Sequence, residues 1–266
     1  MGNANNSLLC IRAGLNEISL TACSYYGDEA PEQESRPVDL DASLNVNLRD
    51  FLSSSPLARR RYARVAVLAD APYALKPLKY FSVGDEDRIY RHCFHDTAGK
   101  RAFFEPVPVL GAAFIFGWDE AAYKVTCDLF PDISVHIGVV GPATHFATAA
   151  RMASGERLYA WVHENQTDLF AFRNGRLLLG NRYETLTSDD SAYYVMLAVK
   201  VLRFDMQHAA CSYIAPAPIA GALQSRLSMF LSEVRQLDAD TFFAGTALHP
   251  VGELPLDLRS FMMYKF

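Results

Sequence analysis

Residues 157–204 read RLYAWVHENQTDLFAFRNGRLLLGNRYETLTSDDSAYYVMLAVKVLRF. Strand patterns at 157–163, 167–173 and 176–183 are joined by ENQ and by NG, the latter a hairpin signal because asparagine and glycine tolerate the positive φ of a tight turn. Thr187 and Ser188 then offer a cap to a helix over 188–204. That helix is apolar nearly all round, which predicts a place between layers rather than at the surface. A strand at 209–214 and a helix over about 218–232 follow.

The first half repeats this grammar. Strands at 7–12 and 16–23 flank an AGLN turn, and the polar run 26–37 predicts an exposed loop. The stretch VDLDASLNVNLRDFLSSSP predicts a short strand and a helix ending before Pro56. ARVAVLA, 63–69, is a continuous apolar run suited to a buried parallel strand. Pro72 punctuates, and YALKPLKYF leads into a helix around 85–95. Between the halves come a buried strand in AAFIFGW, a helix starting near Asp119, a strand at 133–140 and a helix after Pro142. Each half reads βββαβα, so the expectation is a duplicated, two-lobed α/β fold divided into residues 1–155 and 156–266.

Composition narrows function. Half of the 266 residues are hydrophobic and the formal charge is −5, which argues against a general attraction to nucleic acid, since that binding depends on neutralising phosphates. Cys10, Cys23, Cys93, Cys127 and Cys211 are odd in number and contain no C-x-x-C pair, so they read as small apolar residues of a reducing compartment. The longest apolar runs stop at Asp119 and Lys200, short of the roughly 20 residues that span a bilayer. A cytoplasmic location is the expectation.

A duplicated βββαβα unit resembles the actin, sugar kinase and heat-shock ATPase superfamily, a ribonuclease H-like fold. The middle segment and GNRYETLTSDDSAYYVMLAVKVL are similar to its pilus-assembly and cell-division branch. Taken whole, the chain resembles an uncharacterised bacterial domain-of-unknown-function family with an actin-like ATPase fold. The resemblance implies three turns that hold nucleotide, and all three are eroded here. In the first, D-x-G-[TS] is replaced by RAGL: Arg12 stands for the acid, Leu15 for the hydroxyl, and Gly14 survives. In the second, glycines should let amides approach phosphate, yet the chain reads WVHENQTD, with Trp161 at the acid position and His163, Glu164 and Asn165 at the glycines. Thr167 and Asp168 fit. In the third, Ala215 and Pro216 replace a glycine pair, with Gly221 further on, and proline removes a donor.

Gly14, Thr167 and Asp168 are therefore the candidate remnants of phosphate-binding turns, with no catalytic residue and no metal site assigned. The expected function is a non-catalytic scaffold or adaptor that contacts another protein and needs no cofactor. The alternative is a divergent ATPase or phosphotransferase using ATP and magnesium, in which Asp168, Asp189 or Asp190 supplies the missing acid. A nucleic-acid accessory role for Arg59, Arg60, Arg61 and Arg64 is the weaker alternative.

Other constellations read as structure. His92 and His95 have metal spacing beside Cys93 but no further ligand cluster. His136 and His145 read as buried, hydrogen-bonded residues. Asp189 and Asp190 lie where a helix start favours acids.

Overall fold

The structure, a computed structural model, describes residues 7–24, 30–244, 246 and 254–265. β1 (Ser7–Ala13), β2 (Glu17–Ser24) and β3 (Glu32–Pro37) form an antiparallel meander. After α1 (Leu44–Ser54), β4 (Arg64–Ala69) lies parallel to β1. An insertion follows: β5 (Tyr73–Pro77), α2 (Glu86–Cys93), β6 (Lys100–Val107) and β7 (Ala112–Asp119), whose strands make a separate sheet ordered β5-β7-β6. α3 (Glu120–Leu129) leads to β8 (Ile133–Ile137), parallel to β4, and α4 (Val140–Met152) ends this half.

The second half has β9 (Glu156–His163), β10 (Gln166–Arg173), β11 (Arg176–Glu184), α5 (Ser188–Leu202), β12 (Ala210–Ile214), α6 (Ala217–Leu227), β13 (Glu233–Gln236) and α7 (Leu256–Lys265). Its sheet runs β11-β10-β9-β12-β13 and the first runs β3-β2-β1-β4-β8. The two orders match strand for strand, which makes the fold a duplicated, two-lobed α/β architecture.

Strand alternation builds the layers. In β1, Leu9 and Ile11 face the main core while Leu8 and Cys10 face α7, where Leu258, Phe261 and Met262 cover them. Burial on both faces explains the unbroken apolar run of this strand. In β9, Tyr159 and Trp161 join that same main core, and Leu158, Ala160 and Val162 face α5 and α6. Between the lobes lies α4, whose Ala143, Phe146, Ala147 and Ala150 belong to the core shared by both sheets. Phe146, fully buried, stacks on Tyr159 at 5.2 Å; burying a side chain of this size stabilises by about 2 kcal/mol.

The structure corrects several expectations. The helix between layers is α4; α5 lies on the surface, with Tyr193 60% and Val201 68% exposed, because only Ser191, Ala192, Val195, Ala198 and Val199 face the sheet. The polar run expected to be a loop contains β3, an edge strand of almost wholly exposed residues held by backbone pairing to β2; residues 26–29 of that run lie outside the described residues. No strand forms at 38–43 before α1. YALKPLKYF supplies β5 before its turn towards α2. α4 begins two residues before Pro142, which fits in a first turn where the amide has no helical partner. Pattern reading also passes over β6, β13 and α7. All five cysteines are free, and among the described residues no helix is long and apolar enough to cross a membrane.

Candidate functional site: the interlobe cleft

Two tight turns face each other between the lobes. The β1–β2 turn contains Gly14, whose backbone amide donates to the Glu17 carbonyl. A β-carbon there would stand 2.7 Å from Arg12 Nη1 and 3.0 Å from the Glu17 oxygen, so any larger residue would crowd the guanidinium and the turn carbonyl. The β9–β10 turn has Glu164 at φ 41° and Asn165 at φ 62°, the paired positive φ of a two-residue hairpin, strained for a glutamate by roughly 1 kcal/mol.

Side chains close the space between these turns. Arg12 Nη2 donates to Glu164 Oε1 at 2.9 Å, and the Leu15 amide donates to Glu164 Oε2 at 3.1 Å. Alternation along β1 turns Arg12 towards α7, where its Nε donates to Asp257 Oδ2 at 2.7 Å. Burial opposes the Arg12 charge, but Asp257 and then Glu164 outweigh it and hold its pKa above the ordinary arginine value. One guanidinium thus ties β1, the opposite turn and the C-terminal helix.

A second cluster lies deeper. Arg182 on β11 grips Asp168 with two bonds, Nε to Oδ1 and Nη2 to Oδ2, each 2.9 Å. Its Nη1 bridges to Asp70, just past β4 in the other lobe, and donates to the Ala71 carbonyl at 3.1 Å. Gln166 Nε2 donates to Asp70 Oδ2 at 3.1 Å. His163 Nε2 donates to Asp168 Oδ2 at 2.8 Å, and its ring stacks on Trp161 at 3.6 Å. Burial alone would raise the Asp168 carboxyl; Arg182 and His163 reverse that and bring its pKa down to about 2. Tyr73, beneath Arg182, is pushed well up by burial and then by Asp168.

The three candidate remnants do not share one place. Gly14 sits in the first turn beside Glu164. Thr167 and Asp168 are neighbours on β10 and face opposite ways: Thr167 Oγ1 bonds Thr185 and Ser191 under α5, and Asp168 points into the cleft. Trp161 is buried in the shared core. Asp189 shares no partner with Asp168 and pairs instead with Arg226 on α6. Asp190 forms a capping box with Thr187. Pro216 caps α6 with its carbonyl, accepting from the Ile219 and Ala220 amides, and Gly221 lies within that helix.

Outside the cleft, His92, Cys93 and His95 are exposed at the end of α2, and no cluster of three or more His, Cys, Asp or Glu with metal-binding arrangement occurs among the described residues. His136 Nδ1 bonds Glu105 at 3.1 Å. His145 Nδ1 and Tyr264 Oη share a hydrogen bond of 2.9 Å, and burial lowers the His145 pKa to about 4. Arg60 pairs with Glu32, and Arg59 donates to the Ser53 carbonyl. Sequence reasoning does not single out Asp70, Arg182, Gln166 or Asp257. The available signals are an arginine inside an apolar strand and an acid at the carboxyl end of a parallel strand, where α/β sheets form crevices.

Comparison with known proteins places this geometry. A protein family described as "Protein of unknown function (DUF3822)" matches residues 1–216, and the chain belongs to that family. No curated protein matches its sequence. A Bacteroides thetaiotaomicron protein with an actin-like ATPase fold and unknown function superposes with a TM-score of 0.84 at 19% identity, covering 98% of this chain and 96% of that one. The PilM-PilN type IV pilus biogenesis complex gives 0.57 at 12% identity, covering 96% and 98%. The ethanolamine utilization protein EutJ from Carboxydothermus hydrogenoformans gives 0.48 at 11%, covering 96% and 89%. The superposition on the Bacteroides protein shows that the fold is actin-like.

Proposed function

We propose that this protein is a non-catalytic member of the actin-like fold that acts as a scaffold or adaptor through contacts with another protein. The observation that carries the reading is the Glu164 carboxylate, which stands between the two turns and takes up the Arg12 guanidinium and the Leu15 amide. Those are the donors an incoming phosphate needs. Arg12 and Arg182 face Glu164, Asp257, Asp168 and Asp70, so the cleft has an excess of carboxylates and repels a nucleotide triphosphate. Nor does the donor set suit magnesium, because Asp168 is committed to Arg182 and His163, and Asp257 Oδ2 to Arg12. In this reading Gly14, Thr167 and Asp168 serve the architecture of the turns and strands.

Further support comes from the neighbour PilM, whose solved complex contains a second protein, PilN. We take the lobes as 1–155 and 156–266, with the ionic clusters fastening them together, and the protein as bacterial and cytoplasmic, consistent with its free cysteines. The deciding experiment is calorimetric titration with ATP, ADP and magnesium. No heat is expected at millimolar nucleotide; binding tighter than about 1 mM, roughly −4 kcal/mol, overturns the reading and restores the divergent ATPase.

A further inference from the structure

We propose that the groove between β11 and the inserted sheet binds an extended acidic segment of a partner protein, with apolar side chains at alternate positions. This rests on the scaffold reading and gives it a contact site.

The groove, of about 1060 Å³, lies where the first half of β11 meets the end of β5 and the β6–β7 turn. Both β11 and β5 end their sheets, so each presents a strand edge without a sheet partner among the described residues. Unpaired strand edges recruit another strand, since their N–H and C=O groups need partners. Proteins ordinarily guard such edges with inward charges, prolines or bulges; here a bulge sets Leu178 out of the β10–β11 register and Pro77 ends β5, and beside them the stretch 177–179 of β11 leaves three consecutive leucines at least partly exposed, an apolar surface that a partner can cover. At its far end the groove narrows where Leu75 closes over Gly180; a β-carbon there would stand 2.5 Å from Leu75 Cδ1.

Charge selects the occupant. Lys79, Arg151 and Arg176 line the groove, and among the described residues no aspartate or glutamate does. All three are exposed, and none has an ion pair among the described residues. In a chain of net charge −5 this is a local basic field over an apolar floor of Leu75, Leu110 and Leu177. A strand alternating acid and apolar residues satisfies both at once, one set of side chains on the floor and the other at the cations. A second copy of this chain is disfavoured, because twofold pairing of β11 edges brings like charges together. The overall negative charge disfavours nucleic acid.

The test is selection of a phage-displayed library of random twelve-residue peptides on the purified full chain. Enriched peptides are then labelled and titrated by fluorescence anisotropy against the wild type and against Lys79→Glu/Arg151→Glu/Arg176→Glu. The expected result is net-acidic peptides with apolar residues at alternate positions, weakened at least tenfold by the reversal and by added salt, with hydrogen-exchange protection at 176–180. Should the triple variant misfold by circular dichroism, Arg151→Glu alone takes its place. The proposal is overturned if no peptide is enriched, if the peptides are neutral or basic, or if reversal leaves affinity unchanged. Reversal-sensitive dimerisation in sedimentation, or reversal-sensitive binding of a ten-nucleotide oligo-dT, in place of peptide binding assigns the groove to a second copy or to nucleic acid and equally overturns it. Failure here with nucleotide also silent removes the groove and leaves the scaffold reading standing, whereas heat with ATP and magnesium removes the scaffold reading itself.

Discussion

Glu164 and Arg12 meet across the interlobe cleft, Oε1 to Nη2 at 2.9 Å, while the same carboxylate accepts the Leu15 amide through Oε2. A side chain of one lobe is thus the anion bound by the β1–β2 turn of the other. The two partners of Arg12 differ in burial: Asp257 is 5% exposed at its side chain and Glu164 22%.

That difference makes the first prediction. Asp257→Asn leaves a buried guanidinium with one carboxylate and is expected to cost about 3 kcal/mol. Glu164→Gln keeps an acceptor for the Leu15 amide and leaves Asp257 in place, so about 1 kcal/mol is expected. Urea unfolding of both variants measures the order; a larger loss at Glu164 contradicts it.

Arg182 holds Asp168 with two parallel bonds and reaches Asp70 in the other lobe. Arg182→Ala strands two buried carboxylates and is expected to cost about 3–5 kcal/mol. Arg182→Lys keeps the charge and loses the fork, for an intermediate loss of about 2 kcal/mol. Denaturation midpoints decide, and a loss below about 1 kcal/mol in the alanine variant shows that the cluster does not hold the lobes.

Stability should fall in acid in two stages. Burial lowers the His145 pKa from 6.5 to about 4, so the unfolded chain takes up a proton that the folded chain refuses. Stability is full above pH 6.5 and falls as pH drops towards 4, by at most about 3 kcal/mol. The Asp168 pKa is lowered from 3.8 to about 2, and its contribution, present above pH 3.8, is lost as pH falls through 2. His145→Gln should flatten the first stage in urea titrations at pH 7, 5.5 and 4.5. An unchanged slope assigns that stage to other groups.

Gly141 on α4 lies against α7, and a β-carbon there would stand 2.3 Å from Ser260 Cβ and 3.2 Å from the Ser260 carbonyl carbon. Helix propensity favours alanine by about 1 kcal/mol, but the clash displaces α7 from the sheet face covered by Leu258 and Phe261. Gly141→Ala is expected to destabilise by about 1–3 kcal/mol, and adding Ser260→Gly should recover part of that. A stabilised Gly141→Ala protein means that α7 is not seated on α4.

Much of the architecture is legible in the sequence, because turns and periodicity are local. The NG hairpin at Asn174 and Gly175 lies in the turn between β10 and β11, and the Thr187 cap starts α5. β3 is not legible, since an exposed edge strand is held by backbone bonds to β2 and needs no apolar pattern. α5 misleads because its apolar character gives no direction, and exposed Tyr193 and Val201 look the same in sequence as buried residues.

The cleft divides in the same way. Residue types alone determined that each of the three turns departs from the pattern of a phosphate site, with Gly14, Thr167 and Asp168 as its remnants, and that Arg12 and Glu164 stand in two of them. Only the tertiary structure decided that Arg12 is answered by both Glu164 and Asp257, and Asp168 by Arg182 and Asp70. Composition is a property of each position. Ion pairing between residues 12 and 257 exists only after two sheets, α4 and α7 have packed, excluding the water that would otherwise solvate each charge.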